Sequence, residues 1–153
     1  MKIMDIFRKE YIIEELKAKT KRDVLAELSG VIHRENGAIS HALMVDTLLG
    51  REKLGSTGIG DGVAIPHGKL ADLDELIVSF GRSRQGVEFE SMDGKPANLF
   101  FLLLAPENTT GLHLKALAKI SKMLKDSTFR KKLIEAKSKD ELYVTIADKD
   151  DAT

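Results

Sequence analysis

The chain has 153 residues, with 24 Lys and Arg against 24 Asp and Glu, four His, three Pro, and no Cys or Trp. That length suits one domain spanning residues 1–153, large enough to bury a core without disulfide or metal staples. Without cysteine there are no disulfides, thiolate nucleophiles or thiolate zinc sites, and with zero net charge there is no surplus of cations for general nucleic-acid binding.

No stretch approaches the roughly 20 apolar residues of a membrane span. The first ten residues carry acids and lack a long apolar core, so no signal peptide is expected and a cytoplasmic address is. Tyr11-Ile12-Ile13 is a short strand-like run. Val24, Leu25, Leu28, Val31 and Ile32 follow helical spacing over 21–34, and Asn36-Gly37 supplies residues that tolerate a left-handed stop. Ser40 predicts the N-cap of a second helix reaching about Lys53, with Gly55 past its end.

A Gly-rich turn occupies Gly55 to Gly68. Strand-like runs follow at 76–80 and 98–105, the second almost continuously apolar, as in a central strand covered on both faces. The segment 82–95 between them reads as a hairpin or edge excursion. Asn108-Thr109-Thr110-Gly111 offers cap residues for a helix to about Lys125, followed by helices over 127–136 and 138–146 and an acidic tail, Asp148 to Asp151. Helices before, between and after strands predict a three-layer α/β domain, with strand order left open.

Chemistry is concentrated in 55–69. Gly68-Lys69 is followed by Leu70 and position 63 is Val, so the segment is not a P-loop; the glycines also miss the dinucleotide-binding spacing. What remains is a glycine-rich nest able to turn amides towards an anion, with Gly55, Ser56, Thr57, Gly58, Gly60 and Gly68 as its candidates. Pro66 fixes the backbone before His67, so that imidazole is presented from a stiff support. An isolated histidine in such a turn is more often an inert surface residue; the flanking pattern is what argues for display here. His113 lies on the stripe His113, Leu117, Ile120, Leu124, at the start of an amphipathic helix where free amides favour an anion. Alone, it reads rather as a partly buried structural histidine bonded to a backbone carbonyl. Arg51 ends its helix just before the glycine segment, placed either to meet phosphate oxygens or to serve the helix dipole. His33 is expected to be solvated, and His41 has no chemical neighbour in sequence.

No H-x-x-x-H or H-E-x-x-H spacing occurs, so no metal site is expected, and Ser56 is not in a nucleophile-elbow motif. Two histidines, an arginine and an amide nest fit phosphoryl transfer through a histidine best. The seven cations against one acid in 115–132 read as the solvated faces of two helices, and Ile59, Val63 and Leu70 as an apolar docking rim beside His67.

The run Arg51-Glu52-Lys53-Leu54-Gly55-Ser56-Thr57-Gly58-Ile59-Gly60, leading into Ala64-Ile65-Pro66-His67-Gly68-Lys69, resembles the signature of phosphotransferase-system enzyme IIA domains of the fructose/mannitol class, nearest the nitrogen-regulatory (PtsN-type) branch. The resemblance covers essentially the whole chain, through His113 to the closing Glu141-Leu142-Tyr143. It implies an α/β/α sandwich with a mixed central sheet and no metal or nucleotide cofactor. His67 would accept a phosphoryl group on Nε2 from a histidine phosphocarrier (HPr or NPr), itself fed from phosphoenolpyruvate through enzyme I. His113 would assist and Arg51 would pair with the phosphate. The downstream partner would be a regulatory target or, in the sugar-specific alternative, a IIB subunit. An alternative of another class is a binding module that senses an anion at the glycine loop and is never phosphorylated.

Overall fold

A computed structural model describes residues 1–109 and 111–153. In chain order the elements are β1 (Phe7–Ile13), α1 (Lys21–Glu35), α2 (His41–Glu52), β2 (Gly58–Gly60), β3 (Val63–Ala64), β4 (His67–Leu70), β5 (Ile77–Val87), β6 (Ala97–Pro106), α3 (Leu112–Leu124), α4 (Ser127–Glu135) and α5 (Lys139–Ala152). A 3-10 turn over Ile3–Asp5 precedes β1.

The apolar run of β6 lies at the centre of a mixed sheet because Leu99 through Ala105 are buried whichever way they point. β6 pairs antiparallel with β5 and parallel with both β3 and β4; β1 lies parallel to β5, and β2 antiparallel to β3. Side-chain alternation along β5 assigns the layers. The Ser79 hydroxyl donates to the Leu28 carbonyl of α1 at 3.0 Å, and a Cβ on Gly81 would come within 2.9 Å of Leu16 and Leu28. Arg82, one residue on, faces the other side and donates to the Leu133 and Ala136 carbonyls at the end of α4, at 2.8 and 2.6 Å. Helices α1 and α2 therefore cover one face and α3, α4 and α5 the other, the expected α/β/α sandwich with a mixed sheet. Thr20, Ser40, Asp126 and Ser138 each cap a helix by accepting a backbone N–H, so the starts of α1, α2, α4 and α5 are set locally.

Several expectations need correction. The glycine-rich segment is not a single loop: 58–64 folds as a hairpin turning at Asp61-Gly62, and 63–70 then runs along β6 as two short strands interrupted by Pro66. Of the two readings for 82–95 the hairpin holds and the edge excursion does not: 82–87 continues β5, which pairs antiparallel with β6, and Arg82 is fully buried because α4 presents free carbonyls to it. The first helix ends without a left-handed residue, since Asn36 has φ −137°. The cap expected from 108–111 is Gly111, at φ 85°; Thr110 falls outside the described residues. His33 is not a free solvated ring, because its Nδ1 donates to the Ile39 carbonyl at 2.6 Å and it stacks on His41.

The acidic tail is the last turns of α5. Asp150 is fully buried there, accepting from the Ile3 and Met4 amides at 3.0 Å each and pairing with Lys119 of α3 at 2.8 Å. Burial pushes this carboxyl up, but Lys119 and the two amides prevail and hold it below the ordinary carboxylate value. Its stabilisation is therefore present above an unfolded-state pKa of about 3.9 and lost as pH falls through the native value. We expect Asp150→Asn to lower the unfolding free energy in urea at pH 7 by about 3 kcal/mol. The gap between variant and wild type should narrow from pH 7 to pH 3; a gap independent of pH would show that the carboxylate charge is not what stabilises.

Candidate functional site

β4 pairs with β6 on one side, and no strand among the described residues pairs with its other side. Helix α2 approaches this open edge from one face and α3 from the other. Between them lies a cleft of about 380 Å³ that brings Arg51, His67, Gly68 and His113 together.

The register of β4 sets the floor of the cleft. His67 lies opposite Leu103 and Lys69 opposite Ala105, and all four line the cleft. Gly68 is where the strand passes tightly under α2: a Cβ there would stand 2.9 Å from Cγ2 of Thr47. The His67 Nδ1 is 2.9 Å from the Ile65 carbonyl. A carbonyl only accepts, so Nδ1 carries the proton and Nε2 of the neutral ring holds the lone pair.

His113 occupies the first turn of α3, whose N-terminus has no side-chain cap. Its Nδ1 is buried without a hydrogen-bond partner among the described residues. Burial, reinforced by the charges of Lys69 and His67, pushes its pKa below the ordinary histidine value, so this ring is neutral at pH 7.

Arg51 donates to the Gly55 carbonyl at 2.9 Å, which turns its guanidinium along the cleft wall. Its neighbour Glu52 is buried, accepts from the Thr57 amide at 3.1 Å and from the Thr57 hydroxyl, and pairs with Lys21 at 3.1 Å. These contacts fasten the 53–57 turn to the end of α2. Sequence reasoning overlooked both Glu52 and Lys69. An acid in the last turn of a helix opposes the dipole, which was the available sign that Glu52 has a dedicated partner. For Lys69 the sign was its two-residue spacing from His67, which puts both on one face once the segment is known to be a strand.

The glycine-loop residues lie elsewhere. The Ser56 hydroxyl donates to the Phe89 carbonyl at 2.6 Å and accepts from the Gly58 amide at 3.0 Å. Thr57 is engaged with Glu52, and Gly60 belongs to the hairpin. None of Gly55, Ser56, Thr57, Gly58 and Gly60 lines the cleft; Gly55 reaches it only through Arg51. The expected docking rim also changes: Val63 and Leu70 are buried in the core, and Ile59 alone of the three is exposed. The apolar rim of the cleft is Leu54, 84% exposed, and Leu114, 60% exposed.

The cleft is lined by two cations and two imidazoles and by no carboxylate. Leu103 in the floor and Leu117 in the wall add apolar surface beside them. Such a site favours an anion at His67 Nε2 and limits the water around it. Among the described residues, no three His, Asp or Glu side chains gather as a metal site would require, and no helix is long and apolar enough to cross a membrane.

The family profile described as "Phosphoenolpyruvate-dependent sugar phosphotransferase system, EIIA 2" matches residues 5–149. A nitrogen regulatory protein from Bradyrhizobium diazoefficiens is 43% identical over 147 residues, covering 96% of this chain and 95% of that protein. The fructose-specific EIIABC component of the phosphotransferase system of Bacillus subtilis is 39% identical over 140 residues, covering 92% of this chain but 22% of that longer protein. The crystal structure of the nitrogen regulatory protein IIA-Ntr from Neisseria meningitidis superposes with a TM-score of 0.88 at 38% identity, covering 94% of this chain and 98% of that one.

Nitrogen-detected NMR of the histidine rings checks the site geometry. At pH 8 His67 should be the Nδ1–H tautomer, and His113 should titrate with a midpoint below about 6.5. An Nε2–H tautomer at His67 would contradict the presentation of its lone pair to the cleft.

Proposed function

The chain belongs to the EIIA 2 family of the phosphoenolpyruvate-dependent sugar phosphotransferase system, and from that premise we propose that His67 carries a phosphoryl group on Nε2, accepted from a histidine phosphocarrier and serving a regulatory output of the nitrogen branch. The observation that carries this reading is the cleft itself, in which one imidazole with a directed lone pair shares an anion-favouring pocket with Arg51 and a neutral His113.

In the transfer, the Nε2 lone pair of His67 attacks phosphorus as the bond from phosphorus to the donor nitrogen breaks, and that electron pair returns to the donor ring. Each ring keeps the proton on its other nitrogen, so no separate proton carrier is needed. For His67 that proton is the one held by the Ile65 carbonyl. The chemistry is then positioning plus stabilisation of three equatorial oxygens, the task of Arg51, His113 and the uncapped amides at the start of α3. The apolar surface protects the phosphohistidine from water. The rim residues Leu54 and Leu114 offer the donor protein a surface in which the lone pair is central. Replacing a neutral ring by a phosphorylated one adds negative charge at that surface, a local change on which a partner can discriminate.

The nitrogen regulatory relatives favour the regulatory output, and a donor of the NPr type goes with it. The likeness to the fructose-specific protein favours a second reading, in which the phosphoryl group passes to a sugar-transporter IIB subunit. Incubation of the labelled protein with a IIB subunit of the fructose class separates the two, since fast transfer to it supports the second.

Incubation with phosphoenolpyruvate, enzyme I and phosphocarrier should add about 80 Da in an acid-labile, alkali-stable form. His67→Ala should abolish the gain, and label persisting in that variant would overturn the assignment. His113→Ala should still accept label but deliver it poorly; a variant that accepts none moves His113 to the acceptance step.

A further inference from the structure

His67 and Lys69 are alternate residues of β4 and project to the same side of the strand. The residues opposite them, Leu103 and Ala105, also line the cleft, so this face of the sheet edge forms its floor. Lys69 lines the cleft together with His113, whose pKa burial lowers and the Lys69 charge lowers further. Among the described residues none of the ion pairs involves Lys69. Arg51 reaches the same cleft from the opposite wall and likewise has no carboxylate beside it there. Two unopposed positive charges thus flank one imidazole, and a phosphoryl group carries two negative charges near neutral pH.

We propose that Lys69 is a second phosphoryl-binding cation, which closes over the group on His67 from the strand side while Arg51 holds it from the helix side. The inference rests on the reading of His67 as a phosphoryl carrier and adds a residue to it. An ammonium on a flexible stem suits this place, because it can swing onto the phosphoryl oxygens after transfer and leave before the next one. Lys69 is exposed in the unphosphorylated protein, consistent with a cation whose partner arrives with the reaction.

The discriminating quantity is the equilibrium constant for phosphoryl exchange with the phosphocarrier. It compares the free phosphorylated and unphosphorylated proteins, so it is unaffected by how well the two dock. Lys69→Gln should shift that equilibrium against this protein by about tenfold, the effect of losing one charge-assisted contact. It should also shorten the lifetime of the isolated phosphoprotein, and Lys69→Arg should restore most of both. A Lys69→Gln variant that exchanges slowly but reaches the wild-type equilibrium would assign Lys69 to docking alone and overturn the inference. Wild-type protein that takes no label under the same conditions would overturn the carrier reading and this inference with it; labelled wild type with an unshifted Lys69→Gln equilibrium overturns only the inference.

Discussion

The parallel pairing of His67–Leu70 with Leu103–Pro106 is the contact on which the rest of the site depends. It is short, and Pro66 before it removes one backbone donor, yet it fixes three things together. The His67 ring is turned back onto the Ile65 carbonyl, so only one nitrogen faces outward. Gly68 is pressed against Thr47, which fixes the distance from the strand to α2 and hence to Arg51. Lys69 is placed on the same side as His67. On the far wall, α3 is held by the buried Asp150 of α5 through Lys119, so the position of His113 depends on a carboxylate from another helix. A site assembled from four elements is therefore set by one strand register and two buried acids, Glu52 and Asp150.

Much of this was legible from residue order because the relevant information is local. The cap of α2 announces itself as Ser40 before an apolar run, and the central strand is marked by continuous apolar residues. The IIA signature run contains Arg51 and His67, and the apolar stripe of the following helix singled out His113; the fold brings all three into one cleft. What was not legible is long-range. Glycines at 55–68 advertise turns, and they conceal strands of two to four residues that show only through their pairing with β6 or with each other. Asp150 looks like part of a solvated acidic tail until Ile3 and Met4 come to it from the other end of the chain. Arg82 looks like a surface charge until the carbonyls at the end of α4 are found above it, 51 and 54 positions later in the chain. In each case the partner that reverses the assignment is remote in sequence, and hydropathy carries no trace of it.

The glycine-rich segment illustrates a division of labour that composition alone obscures. Amides of a Gly-rich run are natural anion ligands, yet Ser56, Thr57 and Gly58 spend their polar groups on Phe89, Glu52 and one another. Their work is to brace the end of α2. The positive character of the cleft comes instead from side chains and from the start of α3. That distinction separates this arrangement from a nucleotide-binding loop, where a rigid amide cradle holds its phosphates through many steps.

The unpaired side of β4 has a further consequence. A strand edge with free amides and carbonyls is a template onto which another chain can add, and here it lies beside two exposed leucines. The strand is only four residues long, it is overhung by a helix on each face, and it carries a lysine in its middle. Shortness, overhang and charge are the three devices by which soluble proteins deter unwanted strand addition. A lysine at position 69 supplies that charge on the open edge beside the cleft.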